Sequence, residues 1–108
     1  MTKGLSFQMT SMSWYVYMLE CSDGSYYVGI TRDHLARCVA HNAGHGARWT
    51  CMRRPVKLIY VETFPDKKAS RKREIEIKGW RREKKEALLT SSANTLPHPS
   101  PEHAAWLP

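Results

Sequence analysis

The sequence predicts a small α+β domain with the element order ββαβαα. Three observations carry that expectation: two aromatic and β-branched segments either side of a turn signal within 14–31, a third β-branched run at 56–63, and helical spacing of apolar residues in the segments between and beyond them. A chain of 108 residues has room for one hydrophobic core and not for two.

Residues 1–12 lack periodicity and are expected to be a flexible N-terminal segment, with the folded domain spanning 13–90. The first strand is Trp14 to Glu20, followed by the turn signal Cys-Ser-Asp-Gly-Ser and a second strand from Tyr26 to Thr31. Asp33 is suited to cap a helix whose Leu35, Cys38 and Val39 form an apolar stripe, ending before Asn42-Ala43-Gly44. Arg37 and His41, one turn apart, lie at the margin of that stripe.

Gly44 to Pro55 reads as a basic loop carrying Arg48, Arg53 and Arg54, and VKLIYVET from Val56 to Thr63 reads as the third strand. A charged helix is expected from about Asp66 to Lys78, with Ala69, Ile77 and the following Trp80 inward and Gly79 at its end. Glu74, one turn before Ile77, should sit beside the buried stripe and face the sheet. A last helix from Arg81 to Leu89 should dock through Ala87, Leu88 and Leu89, leaving 91–108, with its run of prolines, as a flexible C-terminal tail.

The formal charge of +7 is concentrated between Lys67 and Lys85, which points to a polyanionic partner, the plainer reading being a solvated basic helical face. Cys21, Cys38 and Cys51 form no C-x-x-C pair and read as reduced thiols. His41 and His45 have helical ligand spacing, but Gly44 and Gly46 argue against a helix there and no second ligand pair follows, so zinc is not expected. The apolar run Trp14 to Leu19 is far short of the roughly 20 residues of a membrane span, and no secretory signal is visible. A cytoplasmic protein is expected.

Whether Tyr17 and Tyr27 meet depends on the hairpin loop, because side chains alternate faces along a strand. A two-residue Asp23-Gly24 turn pairs Tyr17 with Ile30 and puts the phenols on opposite faces. A three-residue Ser22-Asp23-Gly24 loop, with Gly24 left-handed, pairs Cys21 with Ser25 and Tyr17 with Gly29, and brings the phenols to one face. Only the second permits a shared site, with Gly29 leaving room beside Tyr17.

Tyr15-Val16-Tyr17 and Tyr27-Val28-Gly29 resemble the paired motifs of the GIY-YIG endonuclease superfamily, with Val in both Ile slots and Tyr15 in place of the naming Gly. The resemblance extends through Ile30-Thr31, Arg37, His41-Asn42, Ala43-Gly44, Trp49-Thr50 and Arg73-Glu74 ahead of Ile77-Lys78, covering about 14–89, and is closest to small single-domain bacterial members. His34 and Cys38 depart from slots that are usually apolar or aliphatic.

The resemblance implies a three-stranded antiparallel sheet flanked by helices and cleavage of nucleic-acid phosphodiesters with one divalent metal, Mg2+ or Mn2+. It implies catalytic roles for Tyr17, Tyr27, Arg37, His41 and Glu74, with Glu74 the metal ligand. A lone carboxylate completed by waters and a phosphate oxygen suits Mg2+, the planar fork of Arg37 suits a phosphate, and Tyr17 is the expected general base, with nearby positive charge favouring its phenolate and His41 the alternative. Tyr27 and His41 would position water or phosphate. Arg48, Arg53, Arg54, Lys72, Arg73 and Lys78 are expected to contact the nucleic acid, Trp80 to pack, and Trp49 to pack or stack on a base.

DNA is the expected partner, with structure-selective cutting in repair or recombination. Two readings compete: a nucleic-acid-binding module that cuts nothing or needs a partner, and a basic interaction domain docking on an acidic protein.

Overall fold

The computed structural model describes residues 13–96. The expected flexible stretches 1–12 and 97–108 lie outside the described residues. The elements are β1 (Trp14–Glu20), β2 (Tyr26–Thr31), α1 (His34–Asn42), α2 (Arg48–Cys51), β3 (Lys57–Phe64), α3 (Lys67–Lys78) and α4 (Arg82–Leu89). The three strands form one antiparallel sheet in the order β2-β1-β3, so β1 is central and β2 is an edge.

The hairpin adopts the three-residue loop. Cys21 donates to the Ser25 carbonyl at 2.8 Å, Gly24 donates to the Cys21 carbonyl at 2.9 Å, and Gly24 has φ +85, a backbone conformation that glycine adopts without steric cost. Tyr17 is therefore across from Gly29 and Leu19 across from Tyr27.

Pleating divides the core in two. Tyr17, Leu19 and Cys21 pack with Cys38, Val56, Leu58 and Val61 on one face, while Val16, Met18 and Val28 pack with Tyr60, Ile77 and Leu88 on the other. A register shift between Met18 and Leu19, opposite Ile59 in β3, lets Leu58 and Tyr60 serve different faces.

Asp33 caps α1 by accepting from the Ala36 amide at 3.0 Å, and Asp66 caps α3 by accepting from the Ala69 amide at 2.8 Å. The apolar stripe expected for α1 is corrected by the structure: Leu35 and Val39 are 50% and 53% exposed, while Cys38 and His41 face inward. The inward face is chosen by the site, where His41 finds hydrogen-bond partners that an aliphatic stripe would not need. Ala87 is likewise exposed, and Leu88 carries the docking of α4.

The helix α1 ends in a Schellman motif, with His45 donating to the Ala40 carbonyl at 2.8 Å, Gly44 donating to the His41 carbonyl at 3.1 Å, and Gly44 at φ +86. That reversal carries the chain back over α1. The basic loop that follows contains the single helical turn α2, and its end is pinned by Asn42, whose side chain donates to the Val56 carbonyl at 3.0 Å and accepts from the Val56 amide at 2.7 Å.

Residues 91–96, placed in the tail by the sequence reading, are held against β3. Thr95 donates to the Val61 carbonyl at 2.8 Å, and Asn94 bridges Ile59, Val61 and Leu89. The free edge of β3 has backbone groups that need partners, and Asn94 supplies both a donor and an acceptor there.

Candidate active site

A cleft of about 350 Å³ opens beside the exposed edge of β2. Tyr17, Tyr27, Arg37, His41 and Glu74 all line it, together with Gly29, Ile30, His45, Gly46 and Ala47. Each comes from a different place: Tyr17 from central β1, Tyr27 from β2, Arg37 and His41 from α1, and Glu74 from α3. The helices α1 and α3 pack on opposite faces of the sheet, through Cys38 and Ile77 respectively, and an edge strand lets both contribute to one cleft.

The aromatic rings are close, with centroids 6.2 Å apart for Tyr17 and Tyr27, 6.0 Å for Tyr17 and His41, and 5.1 Å for Tyr27 and His41. The space opposite Tyr17 at Gly29 is taken by the phenol itself, since a Cβ on Gly29 would lie 2.6 Å from the Tyr17 hydroxyl.

Tyr17 and His41 are joined by a 3.0 Å hydrogen bond between the phenol oxygen and His41 Nε2, and both are almost wholly buried, at 2% and 1% exposure. Burial pushes the Tyr17 pKa above the ordinary phenol value; neighbouring Tyr27 adds to this and Arg37 pulls the other way. The phenolate expected from nearby positive charge is thus opposed by desolvation, which is the larger effect. Burial, assisted by Arg37, lowers the His41 pKa and keeps the imidazole neutral. A neutral phenol beside a neutral imidazole is an arrangement across which a proton can pass.

Glu74 is 5% exposed, and its two carboxylate oxygens meet Lys78 Nζ at 2.9 Å and Arg71 Nη1 at 3.5 Å. Among the described residues no group of three or more His, Cys, Asp and Glu side chains is arranged to hold a metal. Glu74 alone fits the mode in which one carboxylate, waters and a phosphate oxygen hold Mg2+, since it is a hard oxygen donor facing an open cleft, and its carboxylate already attracts two side-chain cations.

The other basic residues divide. Arg48 and Lys72 are exposed. Arg53 is engaged by Asp23 at 3.2 Å and by the Trp49 carbonyl at 2.9 Å, and Arg54 donates to the carbonyls of Cys51 and Asn42 at 2.9 and 3.3 Å, so both brace the loop. Arg73 pairs with Glu62 at 3.0 Å and Glu76 at 2.8 Å and does not line the cleft. Trp49 packs against Tyr27, centroids 6.3 Å apart and nearly parallel, and the Arg53 guanidinium lies 4.0 Å from its centroid.

Sequence reasoning assigned no role to Thr50 or Gly46. Thr50 lies 2.6 Å from His41 Nδ1 through its hydroxyl and is wholly buried, and a Cβ on Gly46 would overlap the His41 ring. Trp49-Thr50 is among the positions that carry the resemblance, but the contact with His41 is made only after the Schellman reversal, so no local feature of the loop announces it.

The description "GIY-YIG catalytic domain" matches residues 13–87, most of the chain. The chain belongs to the GIY-YIG family. It is 46% identical over 76 residues to a UPF0213 protein of Staphylococcus saprophyticus, covering 70% of this chain and 93% of that one. A UPF0213 protein of Staphylococcus aureus is 48% identical over 77 residues, covering 71% and 94%. The solution NMR structure of the UPF0213 protein BH0048 from Bacillus halodurans shares 40% identity at a TM-score of 0.50, covering 78% of this chain and 89% of that one. The three-stranded antiparallel sheet with flanking helices is thus that of a GIY-YIG domain, a nuclease-type fold, and among the described residues no helix is long and apolar enough to cross a membrane.

Proposed function

We propose that this GIY-YIG chain is a metal-dependent endonuclease that hydrolyses phosphodiester bonds, DNA being the favoured substrate and structure-selective cutting in repair or recombination the favoured setting. The observation that carries the reading is the convergence of Tyr17, Tyr27, Arg37, His41 and Glu74 on one cleft from four separate elements.

When bound at Glu74, Mg2+ or Mn2+ supplies positive charge for the phosphate and for the departing 3′ oxygen. Arg37, exposed at the rim, offers a planar fork to the non-bridging phosphate oxygens. Tyr17 accepts a proton from the attacking water as it passes its own to His41 Nε2, its partner at 3.0 Å. The water oxygen bonds to phosphorus, the bond from phosphorus to the 3′ oxygen breaks, and the leaving oxygen takes up a proton from solvent, to which His41 returns its own. This transfer asks for no standing phenolate, which burial disfavours. Tyr27 borders the same cleft and orients water or phosphate by its hydroxyl. Outside the cleft, exposed Arg48 and Lys72 suit the flanking backbone, and Lys78 does so once released from Glu74.

The test is a panel of plasmid, branched, flapped and single-stranded DNA and of RNA, incubated with Mg2+ or Mn2+ and with wild type or Glu74→Ala. Metal-dependent cuts that vanish in Glu74→Ala are expected. Binding with a steep salt dependence but no cut by the wild type would leave a binding module in its place.

A further inference from the structure

Three buried groups form an unbroken hydrogen-bonded line leading back from the cleft wall. Tyr17 meets His41 Nε2 at 3.0 Å, His41 Nδ1 meets the Thr50 hydroxyl at 2.6 Å, and the Thr50 hydroxyl meets the Ala47 carbonyl at 2.9 Å. The direction of the line is settled at its far end. A carbonyl oxygen only accepts, so the one Thr50 hydroxyl proton lies on the Ala47 oxygen, and the Thr50 lone pairs face His41 Nδ1.

Were the Thr50 proton turned toward His41 instead, two oxygen lone pairs would face one another at 2.9 Å with nothing between them. His41 Nε2 would then carry the proton and donate to Tyr17, whose own hydroxyl proton would have to turn away from His41.

We propose that Thr50 is a positioning residue that fixes His41 as the Nδ1–H tautomer, leaving Nε2 bare to receive the Tyr17 proton. The proposal deepens the nuclease reading and rests on it for the use made of that proton, but the tautomer itself is a property of the resting chain. Thr50 touches no substrate. It acts through His41, in the manner of a group that orients a catalytic imidazole by engaging its second nitrogen.

The local fold explains why a hydroxyl, and not a carboxylate, serves here. In the single turn α2, Thr50 bonds back to the carbonyl of the residue three before it, which ties its rotamer to the backbone. A wholly buried carboxylate at this place would carry a desolvation cost that a neutral hydroxyl avoids.

The experiment is a long-range proton–nitrogen correlation of the imidazole of His41 at neutral pH in the full ¹⁵N-labelled chain, as wild type, Thr50→Val and Thr50→Ser, alongside nicking kinetics with Mg2+. The wild type and Thr50→Ser should show a protonated Nδ1 and a bare Nε2. Thr50→Val should lose that preference and at least about tenfold in kcat with KM little changed, and Thr50→Ser should retain most of both. A wild-type His41 with its proton on Nε2 overturns the proposal, whether or not Thr50→Val folds, as does a Thr50→Val chain that keeps both tautomer and kcat. The spectrum needs no substrate, so a wild type that cuts nothing defeats the nuclease reading while the tautomer is decided separately.

Discussion

Gly46 approaches His41 so closely that a Cβ at position 46 would clash with the imidazole Nδ1. On the opposite side of the pair, a Cβ at Gly29 would lie 2.6 Å from the Tyr17 hydroxyl. The hydrogen-bonded Tyr17–His41 pair is thus held between two glycines, and Gly46 is required for closeness alone, since its backbone is not left-handed.

Gly46→Ala should push the His41 ring off Thr50, and Gly29→Ala should displace the Tyr17 phenol. Overpacking of this kind costs about 1–3 kcal/mol. Urea unfolding should show that loss while the far-ultraviolet dichroism stays native, and metal-dependent nicking should fall by at least about tenfold in each. Full activity in Gly46→Ala would show that His41 need not keep its observed position.

Under the proposed function, Lys78 competes with a metal ion for the Glu74 carboxylate. Its ammonium sits 2.9 Å from Glu74, yet its side chain is half exposed, so the pair is worth at most about 1 kcal/mol. Lys78→Met should tighten Mn2+ binding by no more than about fivefold in calorimetry, and weaken nucleic-acid binding with a shallower salt slope. Unchanged metal affinity would mean that the ion pair does not oppose the metal.

Stability should fall on the acid side. Burial lowers the proton affinity of His41 and of His34, so the unfolded chain binds more protons than the folded one as pH drops through the ordinary histidine range near about 6.5. The contribution from neutral His41 is fully present above that range and is lost on acidification from about pH 7 toward 5. Urea midpoints across this window should decline, and His41→Gln should flatten the decline without removing the His34 share. An equal slope in both chains would place the proton uptake elsewhere.

Asn94 fastens the chain to the bulged, outer edge of β3, with its amide donating to the carbonyls of Ile59 and Leu89, each at 3.1 Å. Asn94→Ala should cost about 1–3 kcal/mol, because it leaves half-buried backbone groups without partners. A chain ending at residue 90 should lose at least as much in thermal unfolding. Equal melting of both with wild type would show that water replaces those bonds.

How much of this was legible in the sequence depends on the kind of evidence each residue offered. Strands and the first cap were legible, since Trp14 to Glu20 and Asp33 each carry a local signature that the structure uses, whereas Asp66, read only as the start of the charged helix, proves to be its cap. The hairpin register was legible only as two alternatives, and the pairing of Cys21 with Ser25, which sets Tyr17 across from Gly29, decides between them. The face of α1 was misread because periodicity counts Leu35 and Val39 as core, whereas this helix buries Cys38 and a hydrogen-bonded histidine. For the site, the resemblance to the GIY-YIG motifs brought the five cleft residues into view, but it could not separate cleft-facing basic residues from loop braces. Arg53 and Arg54 bond to Asp23 and to carbonyls that only the folded loop assembles. Thr50 escaped for the same reason.

The position of β1 between two partners has a consequence in time as well as in space. Tyr17 belongs to the one strand that cannot exchange its amides without losing both neighbours, whereas His41 and Thr50 hang on a short helix, a single turn and a loop pinned by Asn42. The two halves of the proton line are therefore expected to open at different rates. On warming, hydrogen exchange at α1 and α2 should rise first, and the enzyme should fall silent while its sheet is still intact, regaining activity on cooling without having to refold.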